Sequence, residues 1–415
     1  MQSNSYTGNT ILVVTIYSLL FFLAFDFIFS HTVFKSQMLM YFMMIFNLLT
    51  FVFCAFKYGC ESNLCAKLWV LYICLHIFSL GLNANTYTIP YWIISLLILF
   101  MPTQIVKVFN PNVFIYIGLF FAIGVFFQYL FPALYSSYVF PLFINTASEF
   151  IESSIVNEIG FSGFSPQTGN TAYLLLVCQS VLLAFKNYEG FLKNKMYRNF
   201  ILFLFMFAIF LTGKRMLSFI SIIIFLTSFY FSISKKNSFR NTILLIILFI
   251  GAGIAYQYFV QNIHQFTDNV YLRRFAISYI SSTDGSDITS GRSELYQKAW
   301  TLFEQEPIIG IGANNFPKMS HMGTSVHNTY LQVLCEEGVL RFPLFIVPLL
   351  IIFFKTMKEV LKKNITNSLS FLLLSLFLQE LFILYSFTGN TFVNINNIIL
   401  YFMGVSFFVY ALRYR

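Results

Sequence analysis

Charged side chains are scarce in this sequence. Only 10% of its 415 residues are Asp, Glu, Lys or Arg, against 58% hydrophobic and 20% aromatic, and the mean hydropathy is +0.74. So little polar surface cannot cover a soluble globule of this length, which excludes a water-soluble domain. Cysteine is equally thin. Of the six, Cys54, Cys74 and Cys178 fall within apolar runs, Cys60 and Cys65 on the expected cytoplasmic side, and Cys335 has no partner opposite it. A disulfide framework is therefore not expected, and no Cys/His spacing suits zinc. No internal repeat is present, and no strand or βαβ unit accompanies the GxG at Gly310 to make a dinucleotide site. The outer loops also lack a carboxylate pair or a DxD-like metal site; Asp284 and Asp287 read as turn residues.

What is present is apolar sequence in runs of about 20 residues, a length that selects helices over the alternating strands of a barrel. The runs fall at 9–30, 38–56, 66–82, 90–108, 112–131, 169–185, 199–212, 216–233, 242–260, 339–354, 368–386 and 393–412. The expected class is an all-α polytopic membrane protein with about twelve transmembrane helices. The first run lacks a basic n-region and a small-residue cleavage site, so it reads as a retained helix. With both termini inside, sixteen Lys and Arg fall in cytoplasmic loops and tail, and nine fall outside, mostly in one long loop. The expected segments are N-terminal helices at 1–131, a first outer loop at 132–170, central helices at 171–260, a large outer loop at 261–338 and C-terminal helices at 339–415.

The polar chemistry is concentrated on that outer side. Gly213-Lys214-Arg215 interrupts a long apolar run and reads as the turn of a helical hairpin. Two cations in a tight outer turn run against the positive-inside tendency; they either snorkel to headgroups or face a cavity or ligand. In the long loop, Leu295, Ala299, Leu302 and Phe303 recur on one face of a short amphipathic helix that begins near Ser290 or Gly291 and is closed by Pro307. Arg292 sits in its first turn, at the positive end of the dipole, so an anion is expected nearby: Asp284, Asp287 or a ligand. Gly310–Phe316 reads as a tight turn. From Asn328 the spacing of Tyr330, Leu331 and Leu334 is helical, and Gly338 offers a break before a span starting near Val339. Glu336 and Glu337 then close a short interfacial helix, with Arg341 able to pair with Glu337. His327, at the N-terminus of that helix, either caps it at headgroup level or stands as a neutral imidazole base beside N–H groups that attract phosphate.

In order, GFSPQTGN, LTGKRMLS, SGRSELYQKAWTLFEQEPIIGIGANNF and HNTYLQVLCEEGVL resemble the O-antigen ligase and polymerase family of bacterial envelope enzymes. The family pattern is an S-R-G turn, then R-x-x-x-W/Y with P-x-x-G-x-G-x-x-x-F, then H-N-x-Y-L-x-x-x-x-E-x-G. The similarity runs from Gly163 to Gly338 and is most specific in its final block. Lys214 stands where the family often has serine, and Met216 where it often has a small residue.

The resemblance implies a GT-C-like membrane glycosyltransferase with a large, partly helical periplasmic loop, in the bacterial inner membrane, its site facing the periplasm or cell exterior. The implied donor is a glycan on undecaprenyl pyrophosphate, and neither cofactor nor metal is implied. Arg215, Arg292 and His327 match the catalytic positions, the cations meeting the pyrophosphate and His327 orienting or deprotonating the acceptor hydroxyl. Lys214, Asn328, Tyr330, Arg273, Arg274 and Glu336 are the expected binding residues. Nine helical residues separate Glu336 from His327, which puts them on opposite faces and argues against a dyad. Expected partners are the lipid-linked glycan, membrane lipid and a chain-length regulator protein, with no nucleic acid. Polymerisation of repeat units is the leading reading, on the idiosyncrasy of the chain outside the motifs and the modest outer loop; the alternative is ligation to lipid A-core or protein. A lipid-linked oligosaccharide flippase is the rival of another class, but only Asp26, His76 and Glu380 are clearly intramembrane ionisable residues and the two halves look unrelated.

Overall fold

A computed structural model describes residues 10–29, 32, 37–83, 86–143, 160–186, 194–232, 254, 257–258, 260–263, 265, 280, 292–362 and 368–413. In chain order the helices are α1 (Thr10–Phe29), α2 (Gln37–Tyr58), α3 (Leu64–Leu82), α4 (Ile89–Leu99), α5 (Pro102–Val108), α6 (Pro111–Leu130), α7 (Pro132–Tyr138), α8 (Thr168–Ala184), α9 (Lys195–Leu211), α10 (Arg215–Ser232), α11 (Arg292–Gln305), α12 (Phe316–Met319), α13 (Thr329–Lys362), α14 (Leu369–Tyr385) and α15 (Ile395–Arg413). No β-strand occurs among the described residues. The chain forms two compact units, one of residues 1–30, 34–114 and 292–415, the other of 31–33 and 115–291.

Every expected span except 242–260 coincides with a helix or, at 90–108, with a bent pair; 242–260 lies almost wholly outside the described residues. Among the described residues five helices are long and apolar enough to cross a membrane: α2, α3, α6, α13 and α15. Four others are shorter apolar helices, at Thr10–Leu23, Thr168–Ala184, Arg215–Phe231 and Leu369–Tyr385. The 90–108 run is not one straight helix. It breaks after Leu99, and Thr86–Leu99 and Pro102–Val108 meet at 89°. Pro102, at the first position of α5, has no N–H to give Ile98 and its ring crowds that carbonyl, so the helix cannot continue. The freed carbonyls are taken up locally: the Glu61 N–H donates to Phe100 O (2.8 Å) and Asn63 Nδ2 to Leu99 O (2.8 Å).

In the first unit α15 is buried nearly all round and packs on α14, α4 and α5, while α13 packs on α3, α14 and α11. An apolar helix without a polar face belongs at the centre of a bundle. By contrast, α2 exposes Met38, Phe42, Ile45, Leu49, Phe53 and Phe56 along a single stripe, the surface a bilayer would cover. The unit has two distinct polar ends. At one, Arg413 pairs with Glu61 (2.7 Å); at the other, Ser79 Oγ at the end of α3 accepts the Ala313 N–H (3.1 Å).

The second unit is built round α8, which packs against α9 and α10. Gln179 and Ser221 satisfy one another in its interior, with Ser221 Oγ donating to Gln179 Oε1 (2.6 Å) and Gln179 Nε2 to Ser221 O (2.9 Å). At Gly118 a Cβ would lie 2.6 Å from the Phe205 ring and 2.7 Å from Cys178 Cβ, so only glycine lets these helices approach so closely.

Candidate functional site

Gly338, with φ 64° and ψ 178°, interrupts α13 and divides it into a short N-terminal piece and a long span. A broken helix strands carbonyls on one side and N–H groups on the other. Residues 307–312 lie across the break and satisfy both. The Ile311 and Gly312 N–H groups donate to Cys335 O (3.1 Å) and Glu336 O (2.8 Å), while the Val339 and Leu340 N–H groups donate to Pro307 O (2.9 Å) and Ile308 O (3.2 Å). Arg341 Nη2 adds a bond to Ile309 O (2.9 Å). A Cβ on Gly338 would stand 2.3 Å from Ile308 O, and one on Gly310 2.4 Å from the Glu336 carbonyl carbon, which is why this crossing needs glycine on both strands of the contact.

The two glutamates are both buried, each in its own network. Glu336 accepts from the Asn314 N–H at Oε2 (3.0 Å) and from the Phe316 N–H and Gln332 Nε2 at Oε1 (3.1 Å each). It anchors the GIGANNF turn, including Asn314 in the left-handed region at φ 57°. Glu337 contacts His76 Nδ1, Tyr72 OH (3.4 Å) and Arg341 Nε (3.9 Å). The Arg341 pairing expected from the i,i+4 spacing is present, and His76 supplies a partner from α3 that the spacing could not show.

Against this frame α11 buries Leu295, Ala299 and Leu302 in a cluster with Phe316, Val326 and Cys335. Arg292 thus begins α11 next to the loop joining α14 to α15, and its Nη1 donates to Thr388 O (2.9 Å). The same loop and the last turn of α14 receive the start of α13. The Thr329 N–H donates to Ser386 O (2.8 Å), Thr329 Oγ1 to Gly389 O (2.8 Å), and Tyr330 OH to Ile383 O (2.9 Å). His327 stands just before, in the left-handed region at φ 60°. Its backbone N–H donates to Asn390 Oδ1 (2.8 Å) and its ring Nδ1 faces Asn390 Nδ2 (3.2 Å). Asn328 caps α13, accepting the Leu331 N–H at Oδ1 (3.1 Å).

One loop, Ser386–Thr391, therefore holds both Arg292 and His327. Asn328, Tyr330 and Glu336 shape their surroundings through contacts within the protein. Thr388 and Asn390 were missed in the sequence because SFTGNT looks like a plain connection between apolar runs; its density of small polar residues was the available signal. Arg273, Arg274, Asp284, Asp287 and the Asp26 side chain lie outside what the structure describes. Beside His327, whose carbonyl accepts from Tyr296 OH (3.5 Å), an open cavity of about 560 Å³ is lined by Tyr296, Gln297, Trp300, Thr301 and Leu331.

Lys214 and Arg215 lie in the second unit, at the turn between α9 and α10, where Gly213 has φ 68°. The chain leading into GFSPQTGN packs on this turn. The Phe161 N–H donates to Leu211 O (3.0 Å), and a Cβ on Gly160 would sit 2.2 Å from Thr212 O. Gln128 Oε1 accepts the Gly163 N–H (2.7 Å) and Tyr135 OH donates to Gly163 O (2.6 Å). Burial raises the Tyr135 phenol well above its ordinary range, which keeps it a donor. The four motif blocks thus pair off, two within each unit.

Residues 200–346 match the profile of the O-antigen ligase family. Over this segment the chain is similar to that family. The family segment runs from α9 past the break in α13, so it includes the Lys214–Arg215 turn, α11, the 307–312 crossing and His327; Thr388 and Asn390 lie beyond it. No curated protein matches the chain. The matched segment and the apolar helices fit a polytopic membrane protein similar to the O-antigen ligases.

Proposed function

We propose that the protein moves a glycan from a polyprenyl pyrophosphate to a sugar hydroxyl at the outer face of the inner membrane, and does so repeatedly, as a polymerase of lipid-linked repeat units. The observation that carries this is the convergence of Arg292 and His327 on the Ser386–Thr391 loop. A donor with a built-in pyrophosphate leaving group needs fixed donors where negative charge gathers, and a guanidinium held by one of its N–H groups keeps the rest of its fork for phosphate oxygens. The positive ends of α11 and α13 add to that field. Lys214 and Arg215 are further cations offered by the family pattern, and Arg273 and Arg274 by the long outer loop. The cavity beside His327 suits the acceptor: the Tyr296 and Trp300 rings offer flat apolar faces to a sugar, Gln297 and Thr301 polar edges. Sidedness is supported by charge. Lys57, Lys67 and Arg413 cluster toward the Glu61 end of the first unit, the end expected inside, and the site is at the other.

Ligation of finished chains is the second reading, favoured by the family profile that residues 200–346 match. The two separate on gels of lipopolysaccharide from a Gram-negative host carrying His327→Ala in place of the wild type. A blocked polymerase leaves lipid A-core capped by a single repeat, because a separate ligase remains. A blocked ligase leaves bare core, with long chains held on the carrier. Normal long chains from a membrane-inserted variant would remove His327 from both.

A further inference from the structure

Asn390 contacts His327 twice, and the two contacts do not allow the same freedom. The backbone N–H of His327 is a donor only, so the side-chain atom 2.8 Å from it must be the amide oxygen of Asn390. That fixes the flip of the amide and turns its NH2, also a donor only, toward the ring Nδ1 at 3.2 Å. Were Nδ1 protonated, N–H would face N–H. Rotating the amide would only move the conflict to the backbone. A single arrangement satisfies both contacts: Nδ1 bare and accepting, with the proton of the neutral ring on Nε2. His327 itself has a left-handed backbone, at φ 60°.

We infer that Asn390 is a positioning residue that sets the tautomer of His327, so that the ring presents an N–H at Nε2 and acts there as a hydrogen-bond donor, not as a base. The tautomer stands on geometry alone; what the N–H acts upon rests on the transferase reading. A donor serves an oxygen that gains negative charge. In the transfer, the acceptor oxygen bonds to the anomeric carbon while the bond from that carbon to the phosphate oxygen breaks. Its electron pair stays on the phosphate oxygen, and the hydroxyl proton passes to the departing pyrophosphate. The Nε2–H belongs with that phosphate, alongside Arg292, and the imidazole removes no proton from the acceptor.

The test is nitrogen NMR on the full-length protein in detergent, labelled at its five histidines, with the His327 signals identified by their loss in His327→Gln. In the wild type at neutral pH, Nδ1 should show the shift of a bare nitrogen and Nε2 that of an N–H. Asn390→Asp replaces the facing donor by an acceptor while still accepting the backbone N–H, and should move the proton to Nδ1. A protonated Nδ1 in the wild type overturns the assignment, and so does an Asn390→Asp protein that keeps Nδ1 bare. The wild-type spectrum decides the tautomer even if the variant does not fold. Transfer is measured on the same samples: the swapped tautomer should lower it at least tenfold, and unchanged transfer from a swapped ring would overturn the donor role. Loss of dependence on Arg292 would instead count against the transferase reading and leave the tautomer untouched.

Discussion

Arg292 gives one guanidinium N–H to Thr388 O and keeps a rigid fork of others. If that fork meets the departing phosphate, Arg292→Ala should reduce transfer by about two orders of magnitude or more, the loss typical of removing a fixed donor at a developing anion. Arg292→Lys should recover little, because an ammonium cannot hold the carbonyl and present a planar pair of donors together. In-vitro transfer with tagged protein quantified in the membrane checks this, and full activity of the alanine variant would remove the residue from the mechanism. Chelators should leave the rate unchanged; strict dependence on a divalent cation would overturn a purely protein-based electrostatic mechanism. Glu336, one of the expected binding residues, has its carboxylate held by three donors of its own chain. Glu336→Gln sets an NH2 against a backbone N–H, and should lower stability by about 1–3 kcal/mol. A lower melting temperature with the substrate KM unchanged would be the signature.

The broken α13 shows how a helix inside a membrane protein tolerates an interruption. Two carbonyls and two N–H groups freed at Gly338 are answered by residues 307–312. Gly338→Ala forces a side chain into the left-handed region and into Ile308 O at once. We expect at least about 1–3 kcal/mol of destabilisation and a loss of transfer in proportion to unfolded protein; a variant as stable as wild type in a detergent melt would show that the crossing is dispensable. The break was legible as Gly338, and α11 as an amphipathic helix bounded near Ser290 and Pro307, because both are written in neighbouring residues. The 89° turn after Leu99 was equally local, since Pro102 announces it, but hydropathy runs through a proline without change and the 90–108 run read as one span.

Taken whole, the chain closes its first unit by joining its N-terminal helices to its last third, and the Arg413–Glu61 pair ties the tail to the loop before α3. That arrangement predicts sidedness directly. In a background without the exposed Cys60 and Cys74, a cysteine at Lys318 should react with an impermeant thiol reagent from outside, and one at Lys362 only after permeabilisation. Labelling of Lys318 solely in opened cells would invert the topology and, with it, the outer-face reaction.

Composition and the length of apolar runs were enough to place this chain in a bilayer as helices, because the cost of burying unpaired backbone in lipid leaves no other solution for such runs. The order of the polar blocks was enough to point to a family and to Arg292 and His327. What the linear chain could not show is the partnership of residues far apart in it. His327 and Asn390 are 63 positions apart, and His76 and Glu337 are 261. Periodicity, capping and turn chemistry act among neighbours and leave their mark there. Which amide faces a ring, which histidine answers a buried glutamate, and which loop catches Arg292 follow from how α3, α11, α13, α14 and α15 pack, and so they became visible only once those helices were together.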